Sequence, residues 1–502
     1  MLSIAPFVFY ISGALLFVYP GVKRETGLSG MLLLKVSSAV LLSIGAYSSL
    51  IAGETDLFGC LLALTTIVSG SLISLYGAEY FRLNNYSKSA NILLDLLVVS
   101  LFLTFTSYNV ILLASFWTLS EILAFALIKE GEEHSYEGSL TSSRGFIFTS
   151  TLTFEVTVFT LIITSVLLVA GSIRFENLLT PFPVLASAGM PVQPYLIPLL
   201  LAGFITKAAI IPLHFWLPSA HTAAPSPASA LLSGVMTLLG FLGLYRLKEL
   251  VDFGEYLPVI TAFLVIAGIT SIIYGGIQSI NQRDGKRMLA YATISTNGFI
   301  SLVFALYISY PSSISLLALT SSIIMHTAYK TTLFAETGLI EYSYGTRYIH
   351  GLQDVSTHLP ISSLGGLMAV FTMLGLPGSI GFTSKLLSIY ATLYEGLDSL
   401  KTIIILGIAL YIAVTIAISI TYFKIYLRKS RSVLQPVKMV DHRTQAYVLA
   451  LGSLNILFNL LVMVTEFTTI VLITFFTMLI PVLVSLLFYT AIRGVKPREH
   501  AG

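Results

Sequence analysis

Three lysines stand where a chain this apolar should carry no charge. Lys207 lies mid-run in LLLAGFITKAAIIPLHFW, Lys330 in SSIIMHTAYKTTLFAETG, and Lys385 just past a break in LGLPGSIGFTSKLLSIY. An ammonium at the centre of a membrane-crossing helix costs roughly 2.5 to 3.5 kcal/mol, so each is expected to face a bundle interior or a file of water. Three acids sit in similarly apolar runs: Glu121, Glu155 and Glu336. Histidines complete the set. Lys207 and His214 are seven apart, two helical turns and therefore one face, with His221 following Pro218; His326 and Lys330 are four apart and share a face.

The chemistry such a set can do is proton transfer. An ammonium beside a carboxylate keeps its proton, whereas one left alone in a low-dielectric site tends to release it, so moving the carboxylate switches the lysine. Glu121 is the expected switch for Lys207, with Lys330 and Lys385 passing the proton onward through water and histidine. The competing reading is a set of fixed ion pairs pinning helices together. Static pairing needs few members, and here lysines, glutamates and histidines recur over five apolar runs. Lys35, near the start of its run, is read differently, as a side chain that snorkels to the headgroups.

The elements that position these residues follow from composition. The 502 residues are 56% hydrophobic and 10% charged, with a mean hydropathy of +0.89; soluble domains carry roughly 25% charged residues. At about 20 residues per span there is room for 14 to 16 helices and no soluble domain. Apolar runs fall at about 4–20, 31–52, 57–78, 91–107, 109–129, 145–171, 195–217, 225–246, 256–280, 288–308, 313–340, 359–397, 402–427, 444–466 and 468–492. The last two are joined so tightly, at Glu466 and Phe467, that the final one could instead lie re-entrant or along the interface. The expected fold is therefore an all-α polytopic membrane protein of 14 or 15 spans.

Two lysine-bearing runs are interrupted. Pro212 has no amide hydrogen and frees the carbonyl of Ala208; Pro377, flanked by Gly375 and Gly378, does the same to Met373. Two broken spans at corresponding places are the sequence sign of an inverted-repeat transporter whose site lies at the breaks. The expected organisation is N-terminal helices 1–3 in residues 1–90, a first five-helix repeat in 91–250, a second in 251–430, and C-terminal helices in 431–502.

Basic residues give a direction. With the N-terminus outside, nineteen of the 27 Lys and Arg fall in cytoplasmic segments, among them Lys23, Arg24, Arg283, Lys286, Arg287 and the cluster from Lys424 to Arg443. The external ones are Arg174, Arg246, Lys248 and Lys401. This asymmetry suits a multi-pass protein of the cell membrane with its C-terminus in the cytoplasm. No cleavable signal peptide is read, because the first apolar run ends without a small-residue cleavage motif.

Other chemistry is poorly served. One cysteine, Cys60, cannot hold an iron–sulfur cluster, and the sequence shows no glycine-rich phosphate loop, metal-ligand cluster or nucleophile elbow. No cofactor is expected in this chain, no catalytic residue is assigned, and nucleic acid is not an expected partner. Iron–sulfur clusters or quinone would belong to partner subunits.

The run KAAIIPLHFWLPSAHTAAPSPASALLSGVM, from Lys207 to Met236, resembles the hallmark of the antiporter-like proton-conducting subunits shared by complex I, membrane-bound hydrogenases and Mrp-type sodium/proton antiporters. QRDGKRMLAYATIS (Gln282 to Ser295), HTAYKTTLF (His326 to Phe334) and GLPGSIGFTSK (Gly375 to Lys385) extend the resemblance in order over nearly the whole chain. It implies 14 core helices with two inverted five-helix repeats. By it, Lys207 is similar to the broken-helix lysine, Lys330 to the central-axis lysine, and Lys385 to the terminal relay residue of the second broken helix.

Two positions depart from the family pattern. The glutamate that usually follows the fifth-helix tryptophan is absent: Trp117 is followed by Thr118, and the acid comes three residues later as Glu121, about 4.5 Å along the axis. A lysine common two residues after SALLSGVM is replaced by Leu238, leaving Thr237, His214, His326 and water to bridge the gap. Three functions are then in play. The first is a proton- or sodium-translocating subunit of a redox-driven complex I-like, hydrogenase-type or sulfur-reducing assembly, with other membrane subunits, soluble redox subunits and lipid as partners. The second is a subunit of an Mrp-type antiporter. The third is a membrane scaffold that no longer conducts.

Overall fold

The computed structural model of the chain describes residues 4–22, 28–53, 55–107, 109–134, 141–146, 196–250, 253–394, 396–428 and 436–466. Most of the sixth expected span, all of the fifteenth, and Lys23, Arg24, Glu155 and Arg174 lie outside the described residues. Within them every regular element is a helix. The chain opens with α1 (Ile4–Val22), α2 (Leu28–Ile51), α3 (Leu57–Leu83), α4 (Lys88–Phe105), α5 (Val110–His134) and the short α6 (Thr141–Phe146). Next come α7 (Leu196–Lys207), α8 (Trp216–Ala223), α9 (Ser226–Leu231), a π-helical turn at Leu232–Met236 and α10 (Leu238–Leu250). The remainder is α11 (Leu257–Asn281), α12 (Gly285–Ser309), α13 (Ser313–Tyr344), α14 (Val355–His358), α15 (Pro360–Leu374), α16 (Ile380–Leu393), α17 (Ser399–Leu427) and α18 (His442–Glu466).

Eight helices among the described residues are long and apolar enough to cross a bilayer. Burial sorts them. The most apolar windows of Gly285–Ser309 and Ser226–Glu249 are entirely enclosed by protein, whereas those of Gly30–Ile51 and Ser399–Leu427 are 28% and 39% buried. A helix hydrophobic on every side belongs in the centre, and one with an exposed apolar flank borders the lipid or a neighbour. α12 is thus a central post, packed on α8, α11, α13 and α17. Beside it, α13 touches α3, α9, α15, α16 and α18; its 32 residues carry His326, Lys330 and Glu336 inward rather than toward lipid.

Side chains stop these helices at defined points. Asp56, Asp284 and Asp398 accept hydrogen bonds from the backbone amides of Gly59, Arg287 and Lys401, and Ser312 and Ser315 form a reciprocal capping box at the start of α13. Loop contacts divide into two faces. On one, Arg347 pairs with Asp284, Lys286 donates to the Ala224 carbonyl, the Ser87 amide to Glu130, and Ser343 to the Lys438 carbonyl. On the other, Arg246 pairs with Asp56, and Tyr310 donates to Asp398. The first face gathers the loops rich in lysine and arginine, and α13 runs toward it.

Lys35 corrects one expectation. It does not snorkel: its side chain is 0% exposed and its Nζ lies 2.6 Å from Asp95 on α4, while also donating to the Phe17 carbonyl at 2.5 Å. Its ammonium stands 3.8 Å from the centre of the Phe17 ring, and Asp95 also accepts from Ser74. Closeness to a helix start in sequence suggests reach to the interface, but a carboxylate on the facing helix is nearer than any headgroup. This is the buried ion pair between helices that the competing reading describes, and it lies in the N-terminal helices.

Candidate ion path

The first break begins where α7 ends, at Lys207. Pro212 cannot supply an amide hydrogen, Ala209 takes a left-handed φ of +50°, and the Ile211–Pro212 peptide is cis. The helix does not resume until Trp216, so Lys207 and His214 do not share a continuous helical face. His214 instead sits in the gap, half-buried, with its ring edge-on to Tyr274 at 4.8 Å. The Ala208 carbonyl freed by the break is taken by Asn297 of α12, whose Nδ2 donates to it at 2.6 Å.

Lys207 itself is fully buried and donates to the carboxylate of Glu121. Glu121 accepts also from the indole Nε1 of Trp117, one turn earlier on α5, at 3.2 Å. The Phe146 and Trp216 rings flank the ammonium at 5.2 and 5.5 Å. The three-residue displacement of the acid therefore does not separate the pair. Position 121 stays on the Trp117 side of α5, so the tryptophan becomes a second donor to the carboxylate.

Lys330, at the middle of α13, is fully buried and donates to the Leu289 carbonyl of α12 at 2.9 Å. One turn earlier His326 bonds through Nε2 to the Ser233 carbonyl at 2.8 Å. A carbonyl can only accept, so Nε2 carries the hydrogen and Nδ1 is the basic nitrogen. Ser233 lies in the π-helical turn, whose wider winding turns carbonyls outward; that of Gly234 accepts from Thr327 at 2.7 Å. His221 is enclosed against Phe334, ring centres 4.9 Å apart, and both its nitrogens lack a hydrogen-bond partner.

The second break separates α15 from α16 at Gly375, Leu376, Pro377, Gly378 and Ser379. Gly375 has φ +85°, and a Cβ there would lie 2.9 Å from Lys385 Cδ, so the lysine occupies the space a side chain would take. The Lys385 ammonium donates to the Met373 carbonyl at 2.7 Å, to that of Leu374 at 3.0 Å, and to the Thr415 hydroxyl at 3.1 Å. Tyr411 lies beneath it at 5.3 Å.

Residues 107–411, more than half of the chain, match the family described as NADH:quinone oxidoreductase/Mrp antiporter, transmembrane. The chain belongs to that family. A probable K(+)/H(+) antiporter protein of Rhizobium meliloti (strain 1021) is 31% identical over 333 residues, 66% of this chain and 32% of its own length. The protein named NADH-quinone oxidoreductase subunit N of Desulforudis audaxviator (strain MP104C) is 30% identical over 218 residues, 43% of this chain and 42% of its own. The chain spans about half or less of the length of the curated relatives it matches first. A chain of the Mrp complex from Dietzia sp. DQ12-45-1b shares the fold with a TM-score of 0.71 at 18% identity, over 91% of this chain and 95% of that one. One from the membrane-bound sulfane sulfur reductase, an archaeal respiratory membrane complex, does so with a TM-score of 0.70 at 17% identity, over 91% and 94%.

In this family member polar side chains that sequence reasoning did not single out stand between the lysines. Thr293, Thr296 and Asn297 line one side of α12. Thr293 bonds the Ser233 hydroxyl at 2.7 Å and donates to the same Leu289 carbonyl that holds Lys330. Thr296 bonds Tyr329, accepts from Tyr411 at 3.3 Å, and so reaches the ring beneath Lys385. Asn297 reaches the break beside Lys207. Their spacing, i, i+3 and i+4, on a helix otherwise rich in apolar residues is the signal that could have revealed them. Leu238 is buried, and the polar route passes it by way of Ser233, Thr293 and His326.

Proposed function

We propose that this chain is an ion-translocating, antiporter-like subunit of a multisubunit membrane complex, and that the ion is the proton. The observation that carries the reading is the line of three buried lysines in unlike surroundings: Lys207 on a carboxylate, Lys330 on one carbonyl, Lys385 on two carbonyls and a hydroxyl. A scaffold would be served by buried ion pairs such as Lys35 with Asp95. Here a proton on Lys207 is held by Glu121; withdrawal of that carboxylate favours its release toward the oxygens of α12, and Lys330 and Lys385 can receive it in turn once each has given up its own proton. His326 Nδ1 and His221 supply further acceptor sites beside Lys330.

In this reading the two breaks mark two five-helix repeats, residues 91–250 and 251–430, between the segments 1–90 and 431–502. The lysine- and arginine-rich loop face is the cytoplasmic one, which puts the N-terminus outside and the protein in the cell membrane. The partners are other membrane subunits and soluble redox subunits, and any iron–sulfur cluster or quinone is theirs. The 31% identity to the antiporter protein of Rhizobium favours a second reading, an Mrp-type antiporter driven by an ion gradient and possessing no redox partner.

Proton flux into vesicles carrying the reconstituted native assembly tests the function. Lys207→Ala and Lys385→Ala are each expected to lower the flux at least tenfold. Wild-type flux in both would leave the scaffold standing. Identification of co-purifying subunits separates the two ion-moving readings: iron–sulfur or quinone-binding proteins point to the first, small membrane proteins alone to the second.

A further inference from the structure

Glu336 has no part in the path described above, yet its surroundings are built. It lies six residues beyond Lys330 on α13, about 9 Å along the axis toward the basic-loop face. It is 1% exposed, and neither carboxyl oxygen has a hydrogen-bond partner among the described residues. Ser362 and Ser363 face it from α15, and Tyr422 and Tyr426 from α17. The Ser363, Tyr422 and Tyr426 hydroxyls are buried and likewise unpartnered. The other titratable side chains around it are engaged elsewhere: Tyr76 of α3 donates to the Ala335 carbonyl at 2.8 Å, and Tyr344 bonds His358 at 3.1 Å. Among the described residues no lysine, arginine or histidine pairs with it.

Three helices thus aim five unpartnered polar atoms at one another inside an apolar bundle, and such a grouping calls for an explanation. The space between them is kept open. A Cβ on Gly366 would overlap the Tyr426 hydroxyl and lie 3.3 Å from Glu336 Cγ. A carboxylate buried without a counter-cation is far costlier than the neutral acid. The neutral acid has one O–H to give and lone pairs to offer, while the surrounding hydroxyls can both donate and accept. The same hydroxyls can stabilise the anion briefly, by donating to it together.

We propose that Glu336 is a proton-holding station, occupied as the neutral acid at rest, which exchanges its proton through the Ser363, Tyr422 and Tyr426 hydroxyls between the Lys330 level and the basic-loop face. Its place in transport rests on the ion-translocation reading; its protonation does not. Two measurements on the intact assembly therefore test it separately. Infrared difference spectra of wild type against Glu336→Gln at neutral pH should show loss of a carboxylic-acid C=O band, shifted in Tyr426→Phe. Loss of carboxylate bands alone overturns the proposal. So does disappearance of the acid band when sodium replaces choline at fixed pH, which marks a sodium site.

In vesicles Glu336→Gln, whose side chain is nearly isosteric, should lower proton flux at least tenfold, Glu336→Asp should recover part of it, and Gly366→Ala should lower it with Glu336 intact. Full flux in Glu336→Gln, where Lys207→Ala and Lys385→Ala have none, overturns the station and leaves the path. Full flux in all of these variants removes the path, and the station's transport role with it.

Discussion

At the first break the lysine is the last residue of the half-helix before the gap, and its ammonium meets a carboxylate. At the second it stands in the second turn of the half-helix after the gap, and its ammonium meets the carbonyls of Met373 and Leu374 and the hydroxyl of Thr415. Both breaks follow from a proline that leaves a carbonyl unpaired four residues upstream. The freed Ala208 carbonyl goes to an asparagine on another helix, whereas Met373 gives its own to the lysine. The difference teaches how each lysine is controlled. Lys207 is balanced by a full charge on a separate helix, so relative movement of α5 and α7 would change its charge state. Lys385 is held by neutral groups, the C-terminal carbonyls of α15 and the Thr415 hydroxyl of α17, whose partial negative charge suits the ammonium. The first is arranged as a switch and the second as a fixed terminus.

Removing one partner of a buried ion pair is the most direct way to break this contrast. Lys207→Ala takes the counter-charge from the buried Glu121 carboxylate and should cost about 3 to 5 kcal/mol of stability as well as flux. The double variant with Glu121→Ala should be more stable than Lys207→Ala alone. Thermal unfolding of the detergent-purified assembly, with Glu121→Ala alone as the third variant, measures this, and a double-variant loss equal to the sum of the two single losses would show that the two groups are not coupled. Lys385→Ala should abolish flux to a similar degree at a smaller structural cost, about 1 to 3 kcal/mol, because it orphans neutral oxygens rather than a charge. A stability loss as large as that of Lys207→Ala would mean that the carbonyl cradle does not do what its geometry indicates.

The fold class and the family were open to sequence because they rest on long apolar runs and on lysines that cannot sit in lipid unattended. The breaks were open for a similar reason: a proline's missing hydrogen bond is local, and Pro212 and Pro377 each have one. Where chemistry depends on what another helix presents, sequence was silent. Nothing near Lys35 announces Asp95, sixty residues away, so the snorkelling expectation failed. The displacement of the acid to position 121 left its pairing open, since the helix axis alone does not say where α7 ends. Thr293, Thr296 and Asn297 look unremarkable in an apolar stretch, and only the enclosure of α12 makes their shared face a conduit.

That conduit gives a sharper test of the comparison than either lysine. Asn297 of α12 donates to a carbonyl at the first break, as Asn459 of α18 does to the Gly378 carbonyl at the second, at 3.1 Å. Asn297→Leu keeps the branched shape but orphans the Ala208 carbonyl, at a cost of about 1 to 3 kcal/mol. It should lower flux while leaving the Lys385 environment unchanged, so adding Lys385→Ala should change stability additively, within about 0.5 kcal/mol. A coupling larger than that would show that α12 ties the two breaks into one unit.

The smallest effect concerns how the second break is framed from outside the bilayer. Asp398 caps α17, the helix that brings Tyr411 and Thr415 to Lys385. The Tyr310 hydroxyl, and then the Lys401 amide at 2.8 Å, hold its carboxyl below the ordinary aspartate value of 3.8. A folded-state value below the unfolded one means that this contribution is fully present above the ordinary value and is lost as the pH falls through the folded one. Asp398→Asn keeps a capping oxygen but cannot titrate. Melting of wild type minus variant should therefore be a small positive difference at pH 7 that shrinks as the pH drops below about 4. A difference that stays constant over that window would assign the titration to another group, and would leave the position of α17 over Lys385 to packing alone.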